Sequence, residues 1–126
     1  MLFLQLTLSA DASAFNQSKW VGLIQQIHPG AEIMEADNHS EVYLYQQILK
    51  WLLHSDEPLV LHIHSLHAEA PMGTMLRFLQ DLLQKKPLAL ITVQGQHTRV
   101  EKYVRAFSEY TLVESEDGAV ALLNPK

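Results

Sequence analysis

Three histidines stand close together in mid-chain, His62-x-His64-x-x-His67, inside the stretch PLVLHIHSLHAEAPMG at residues 58–73. On an extended strand, residues two apart share a face, so the imidazoles of His62 and His64 can reach toward one ion. Zinc takes three or four such ligands and leaves a position open to water when the site is catalytic. His62, His64 and His67 are therefore the candidate zinc ligands, with support available from Asp11, Asp37, His39, Glu69 or His97. The competing reading makes His62 a core histidine, hydrogen-bonded inside the protein, and puts His64 and His67 at the rim of a sheet. Two ligands on one strand do not make a site; the fold must place a third.

Other chemistries find less support. Ser65 lies between His64 and His67, but neighbours on a strand face opposite ways, and no G-x-S-x-G elbow is present. No loop matches a P-loop or a dinucleotide G-x-G-x-x-G pattern, and Gly73 and Gly95 are single glycines. Ser9, Ser13, Ser65, Thr74 and Thr98 read as capping residues. Glu116-Asp117 reads as an exposed turn rather than an acid–base pair. With no cysteine in the chain, disulfides, thiolate metal sites and cysteine nucleophiles are excluded.

The elements that must position these residues follow from periodicity. Leu59, Leu61 and Ile63 point to one side of a strand, and Val60, His62 and His64 to the other. That strand carries no charge, as a central strand covered on both faces should. A first strand spans residues 2–9, a second residues 31–36, a fourth residues 88–93 and a fifth residues 110–115. Apolar residues at helical spacing predict helices over 14–27, 41–53 and 98–107, and a third from Pro71 to the Lys85-Lys86 pair. Asn38 with Glu41, and Thr98 with Glu101, fit the capping box. Asp117-Gly118 is a hairpin signal, so residues 119–123 are expected to return as a strand in place of a fifth helix.

Alternating strands and helices predict a three-layer α/β/α fold with a mostly parallel five-stranded sheet in the order 2-1-3-4-5, in one domain over residues 1–126. In such a fold ligands bind at the carboxyl ends of the strands. Asp11, Asp37, His39, His64, His67 and His97 all fall there and form the candidate ligand set. Without a fifth helix, part of one sheet face would be bare, and residues 119–123 would offer an edge strand; a homodimer or another protein partner would cover them.

The spacing of several segments resembles the receiver domains of bacterial two-component signalling, a flavodoxin-like family. AEIMEADNHSEV resembles their second strand and helix, PLVLHIHSLHAEAPMG their third strand and following loop, and KPLALITVQG their fourth strand. The resemblance puts Thr92 where the family keeps a Ser or Thr and adds it to the ligand candidates. It also shows what is missing. The acidic pair after the first strand is reduced to Asp11, His62, His64 and Ser65 stand in the region of the phospho-accepting Asp, and Glu114 stands near the place of the Lys. The resemblance thus implies a degenerate receiver without aspartyl phosphorylation. A weaker resemblance to STAS domains lacks their helix-opening Ser-Gly, since Met72-Gly73 stands there.

Charge narrows the partners. The chain of 126 residues has a formal net charge of −5, which argues against nucleic acid. Residues 1–57 carry two bases against seven acids, whereas residues 58–126 balance at seven each. The acidic half reads as a solvated, partner-selecting surface. No apolar run reaches the ~20 residues of a membrane helix, and the first strand lacks the basic flank of a signal peptide. The expectation is a cytoplasmic, non-catalytic regulatory or interaction module without a cofactor. The alternative is a small-ligand or zinc site built on His64 and His67.

Overall fold

Among the residues that the computed structural model describes, 1–10 and 19–123, five strands alternate with five helices. They are β1 (Leu2–Leu8), α1 (Lys19–Ile27), β2 (Glu32–Asp37), α2 (Val42–His54), β3 (Leu59–Ser65), α3 (Met75–Lys85), β4 (Leu88–Gln94), α4 (Thr98–Phe107), β5 (Thr111–Val113) and α5 (Glu116–Ala121). The strands form one sheet in the order β2-β1-β3-β4-β5, and every neighbouring pair is parallel. The expected order holds, and the sheet is wholly rather than mostly parallel. Among the described residues no helix is long and apolar enough to cross a membrane.

Period-two alternation in the strands divides the interior into two cores. Leu2, Leu4, Leu6 and Leu8 share one face with Leu59, Leu61, Ile63, Ile91 and Val93. Upon this face pack the buried stripes of α2 (Ile48, Leu52), α3 (Met75, Phe78, Leu79, Leu82) and α4 (Val100, Val104). Phe3 and Val60 point the other way, against Trp20 and Ile24 of α1 and Ala119 and Val120 of α5.

The last element corrects the sequence expectation. Residues 116–121 form a helix, not the turn and returning strand of a hairpin. The Ser115 hydroxyl caps it by accepting from the Gly118 N–H at 3.1 Å, and Glu116 and Asp117 occupy the first turn, where the helix dipole favours acids. Lys19 of α1 pairs with Asp117 at 2.8 Å. Ala119 and Val120 fill the gap beside α1 that the hairpin reading left bare, so that face is covered.

One helix start also moves, and two caps differ from expectation. The third helix begins at Met75 rather than Pro71. The Pro71 carbonyl instead accepts from the Asn38 side chain, and Gly73 holds φ +54° with the Asn38 carbonyl only 2.8 Å from where a Cβ would stand. Asn38 is thus withdrawn from the capping box expected with Glu41, and α2 opens without a side-chain cap. At α4 the cap is His97, one residue before the expected Thr98: its Nδ1 accepts from the Val100 N–H at 3.3 Å, while Glu101 accepts from the His97 N–H at 3.4 Å. The expected first half of helix 1, residues 14–18, lies outside the described residues.

Candidate functional site

Strand register assembles a polar band on the sheet face that α1 and α5 cover. Gln5, His62 and Thr92 stand side by side on β1, β3 and β4, and Thr7, His64 and Gln94 form the next row toward the carboxyl ends. Alternation keeps all six on one face, above the apolar row of Phe3, Val60 and Leu90. Glu116, from the first turn of α5, descends on the same band.

His62 is fully buried at its centre. Its Nδ1 lies 2.7 Å from Thr92 Oγ1 and its Nε2 lies 3.1 Å from Gln94 Oε1. An amide oxygen only accepts, so Nε2 carries the proton and Nδ1 accepts from the Thr92 hydroxyl. The indole of Trp20 stacks on the imidazole, with centroids 5.2 Å apart and planes 20° from parallel. Burial drives the His62 pKa down to about 4, against the opposing pull of the Gln94 bond, and the ring is neutral at physiological pH.

Glu116 reaches the same band from α5, and its carboxylate Oε1 stands 3.7 Å from His64 Nδ1. Burial pushes the Glu116 carboxyl up, but the Glu116 backbone amide, Gln94 and the two histidines pull it net below the usual range. Burial likewise lowers His64, which Glu116 only partly offsets. Two polar groupings therefore share the band: Thr92, His62 and Gln94 joined by hydrogen bonds, and Glu116 beside half-buried His64. Both nitrogens of His62 are engaged, so its ring has no lone pair to offer a metal or a substrate.

Of the sequence-predicted rim residues, His64 and Thr92 lie in this polar band, and Asp37, His39, His67 and His97 bond to loop backbone. Asp11 lies outside the described residues. Asp37 closes the turn after β2, accepting from the His39 N–H at 2.7 Å. The His39 ring reaches the Ser9 carbonyl at 3.0 Å. His97 is buried and donates from Nε2 to the Ala70 carbonyl at 2.7 Å, tying the β3–α3 loop to the start of α4. His67 is exposed, and its Nδ1 accepts from the Glu69 N–H at 3.4 Å. Thr92 is committed to His62. The zinc set His62, His64 and His67 is not assembled: among the described residues no three His, Asp or Glu side chains are placed to hold a metal ion.

Sequence reasoning missed Gln94, Glu116 and Asn38. Asn38 is buried, accepts from the Ser9 N–H at 3.1 Å, donates back to the Ser9 carbonyl at 2.9 Å and also donates to Pro71. It clamps the ends of β1 and β2 to the segment before α3. The only advance signal for Glu116 was Ser115 three residues before Gly118, a capping arrangement that the Asp117-Gly118 pair obscured. The rim is thus a set of loop ties, and the polar band is a closed network.

No protein-family model, curated protein or solved structure matches the chain. The likeness to receiver and STAS domains rests on sequence pattern alone.

Proposed function

We propose that this chain is a cytoplasmic, non-catalytic protein-interaction module that works as a homodimer, with its function at the β4–β5 edge of the sheet rather than at the carboxyl-end rim. One observation carries the reading. Leu112, in the middle of the edge strand β5, is 60% exposed, and Phe107, at the end of the preceding helix α4, is 45% exposed. β5 is the terminal strand, so the outer backbone groups of Thr111–Val113 face away from the sheet. An edge that combines open backbone with an exposed leucine is a template for another strand.

The neighbouring strand extends this edge. β4 pairs with β5 only from Thr92 onward, and a cleft of about 340 Å³ separates its first half, Leu88 to Ile91, from Ser108 to Thr111. The polar side chains that chemistry would need are meanwhile spent on internal bonds, as at His62, His97 and Asn38. The bare sheet face that first suggested a partner is covered by α5, so support for a partner now comes from the edge alone. The absence of cysteine from the sequence is consistent with the reducing cytoplasm.

Size-exclusion chromatography with light scattering, run from micromolar to millimolar protein, tests the reading. A mass twice that of the 14.3 kDa chain is expected at the upper end. A constant monomer mass throughout that range overturns it.

A further inference from the structure

We propose that the dimer forms by antiparallel two-fold pairing of β5 with β5 of a second copy, in the single register centred on Leu112. This rests on the edge-dimer reading above and adds the contacts that define it.

The argument starts from strand parity. Tyr110 rests on the larger core and Leu112, in register with Val93, shares that face, whereas Thr111 and Val113, in register with Thr92 and Gln94, point to the α1–α5 side; the same alternation carried one residue past β5 sets Glu114 on the side of Leu112. A two-fold axis at Leu112 sets each residue opposite its mirror position in the second copy. Leu112 then meets Leu112, Thr111 meets Val113, and Tyr110 meets Glu114. The most exposed apolar residue of the edge is buried against itself.

Charge selects this register. The Tyr110 hydroxyl accepts from Arg105 Nη2 at 3.0 Å and donates to Glu101 Oε1 at 3.2 Å. Glu101 is already bound to that hydroxyl and to the His97 N–H. Arg105 and Glu114 are both exposed, and among the described residues neither has an ion-pair partner. In the Leu112 register, Glu114 of the second copy arrives beside Tyr110 and so beside Arg105, and the two-fold axis makes this pair twice. No like charges stand directly opposite, since Glu109 meets Ser115. An axis at Thr111 would set Glu114 against Ser108, and an axis at Val113 would set it against Leu112; both leave Arg105 without a carboxylate. Opposite charges across a strand pair stabilise it and like charges destabilise it. A strand pair of three residues on each side is small for a protein interface, so the association should depend on concentration and weaken as salt screens the Arg105–Glu114 pairs.

The experiment is a charge-reversal exchange followed by light scattering, with circular dichroism to confirm that each variant is folded. Arg105→Glu alone sets two carboxylates against each other across the interface, and Glu114→Arg alone sets two guanidinium groups against each other. Each should weaken self-association at least tenfold. An equimolar mixture of the two single variants should regain dimer of wild-type affinity, because both contacts of the mixed pair are then complementary. A folding defect would not be rescued by mixing. Leu112→Lys should be monomeric under conditions where wild type dimerises. Should wild type dimerise while the single reversals associate as tightly as it does, or should mixing two folded monomeric variants restore nothing, the Leu112 register is overturned and the edge dimer stands. A dimer that survives Leu112→Lys, or a wild type that stays monomeric, overturns the edge reading with it.

Discussion

The His62 ring sits between the Thr92 hydroxyl and the Gln94 amide, flat against Trp20, with no exposure to solvent. Charging it would put a cation in a place closed to water, so burial keeps it neutral. The unfolded chain takes up this proton near pH 6.5 and the folded chain only near 4. Between those values the unfolded state binds more protons, so stability falls as pH drops through the window, by an amount on the order of 3 kcal/mol. His64, also held below its ordinary value by burial, adds in the same direction. Glu116, with its carboxyl held low, contributes stability that is lost only at more acid pH, below the ordinary carboxylate range. Urea denaturation at pH 7.5 and pH 5 should show the loss in wild type and a much flatter response in His62→Gln. An unchanged pH response in that variant would assign the acid sensitivity elsewhere. Thr92→Val leaves Nδ1 without its donor in a buried place and should cost about 1–3 kcal/mol at neutral pH.

Between elements, the rim loops are fastened by close backbone approach as well as by side chains. Gly95, after β4, holds φ +84°, and an added Cβ would collide with the Ser65 carbonyl oxygen at the end of β3. Gly95→Ala should therefore destabilise by roughly 2 kcal/mol or more, from the left-handed conformation and the clash together. Gly22, inside α1, has no described atom within 4 Å of the place a methyl group would take, and Gly22→Ala should stabilise by about 0.5–1 kcal/mol. Thermal denaturation of the two variants distinguishes them by sign. The same contrast explains what the sequence disclosed. Strand faces and sheet order were legible because alternation and helical spacing are local rules that Leu59 to His64 obey residue by residue. The destination of the histidines was not, since His62 meets partners 30 and 32 positions away and only the register of β3 on β4 brings them together. The six-residue helix α5 is too short for periodicity to announce it, and Asp117-Gly118 is equally a hairpin turn and the first turn of a capped helix.

Across the whole molecule the two cores are unequal, and the smaller one depends on its last helix. Leu, Ile and Val side chains of three strands meet three helices on one face, whereas the other brings together Phe3, Val60, Trp20, Ile24, Ala119 and Val120. α5 contributes two of these buried residues and is anchored from outside by the Lys19–Asp117 pair, which is exposed and so adds little. Its hold is thus chiefly the burial of Ala119 and Val120. Val120→Asp places a carboxylate against Trp20 and should detach the helix, uncovering Trp20 and the His62 network while the larger core stays packed. The chain has two tryptophans, Trp20 and Trp51, and Trp51 packs on the larger core. In a Trp51→Phe background, emission therefore reports on the smaller core alone. Val120→Asp in that background should shift emission to the red and lower stability by about 2–4 kcal/mol, the usual range for an uncompensated polar substitution in a core. Far-ultraviolet circular dichroism should fall by no more than the short helix contributes. Emission that stays at the wild-type wavelength would mean that Trp20 owes its burial to something other than α5, and the division into two cores with one dependent on the C-terminal helix would be wrong.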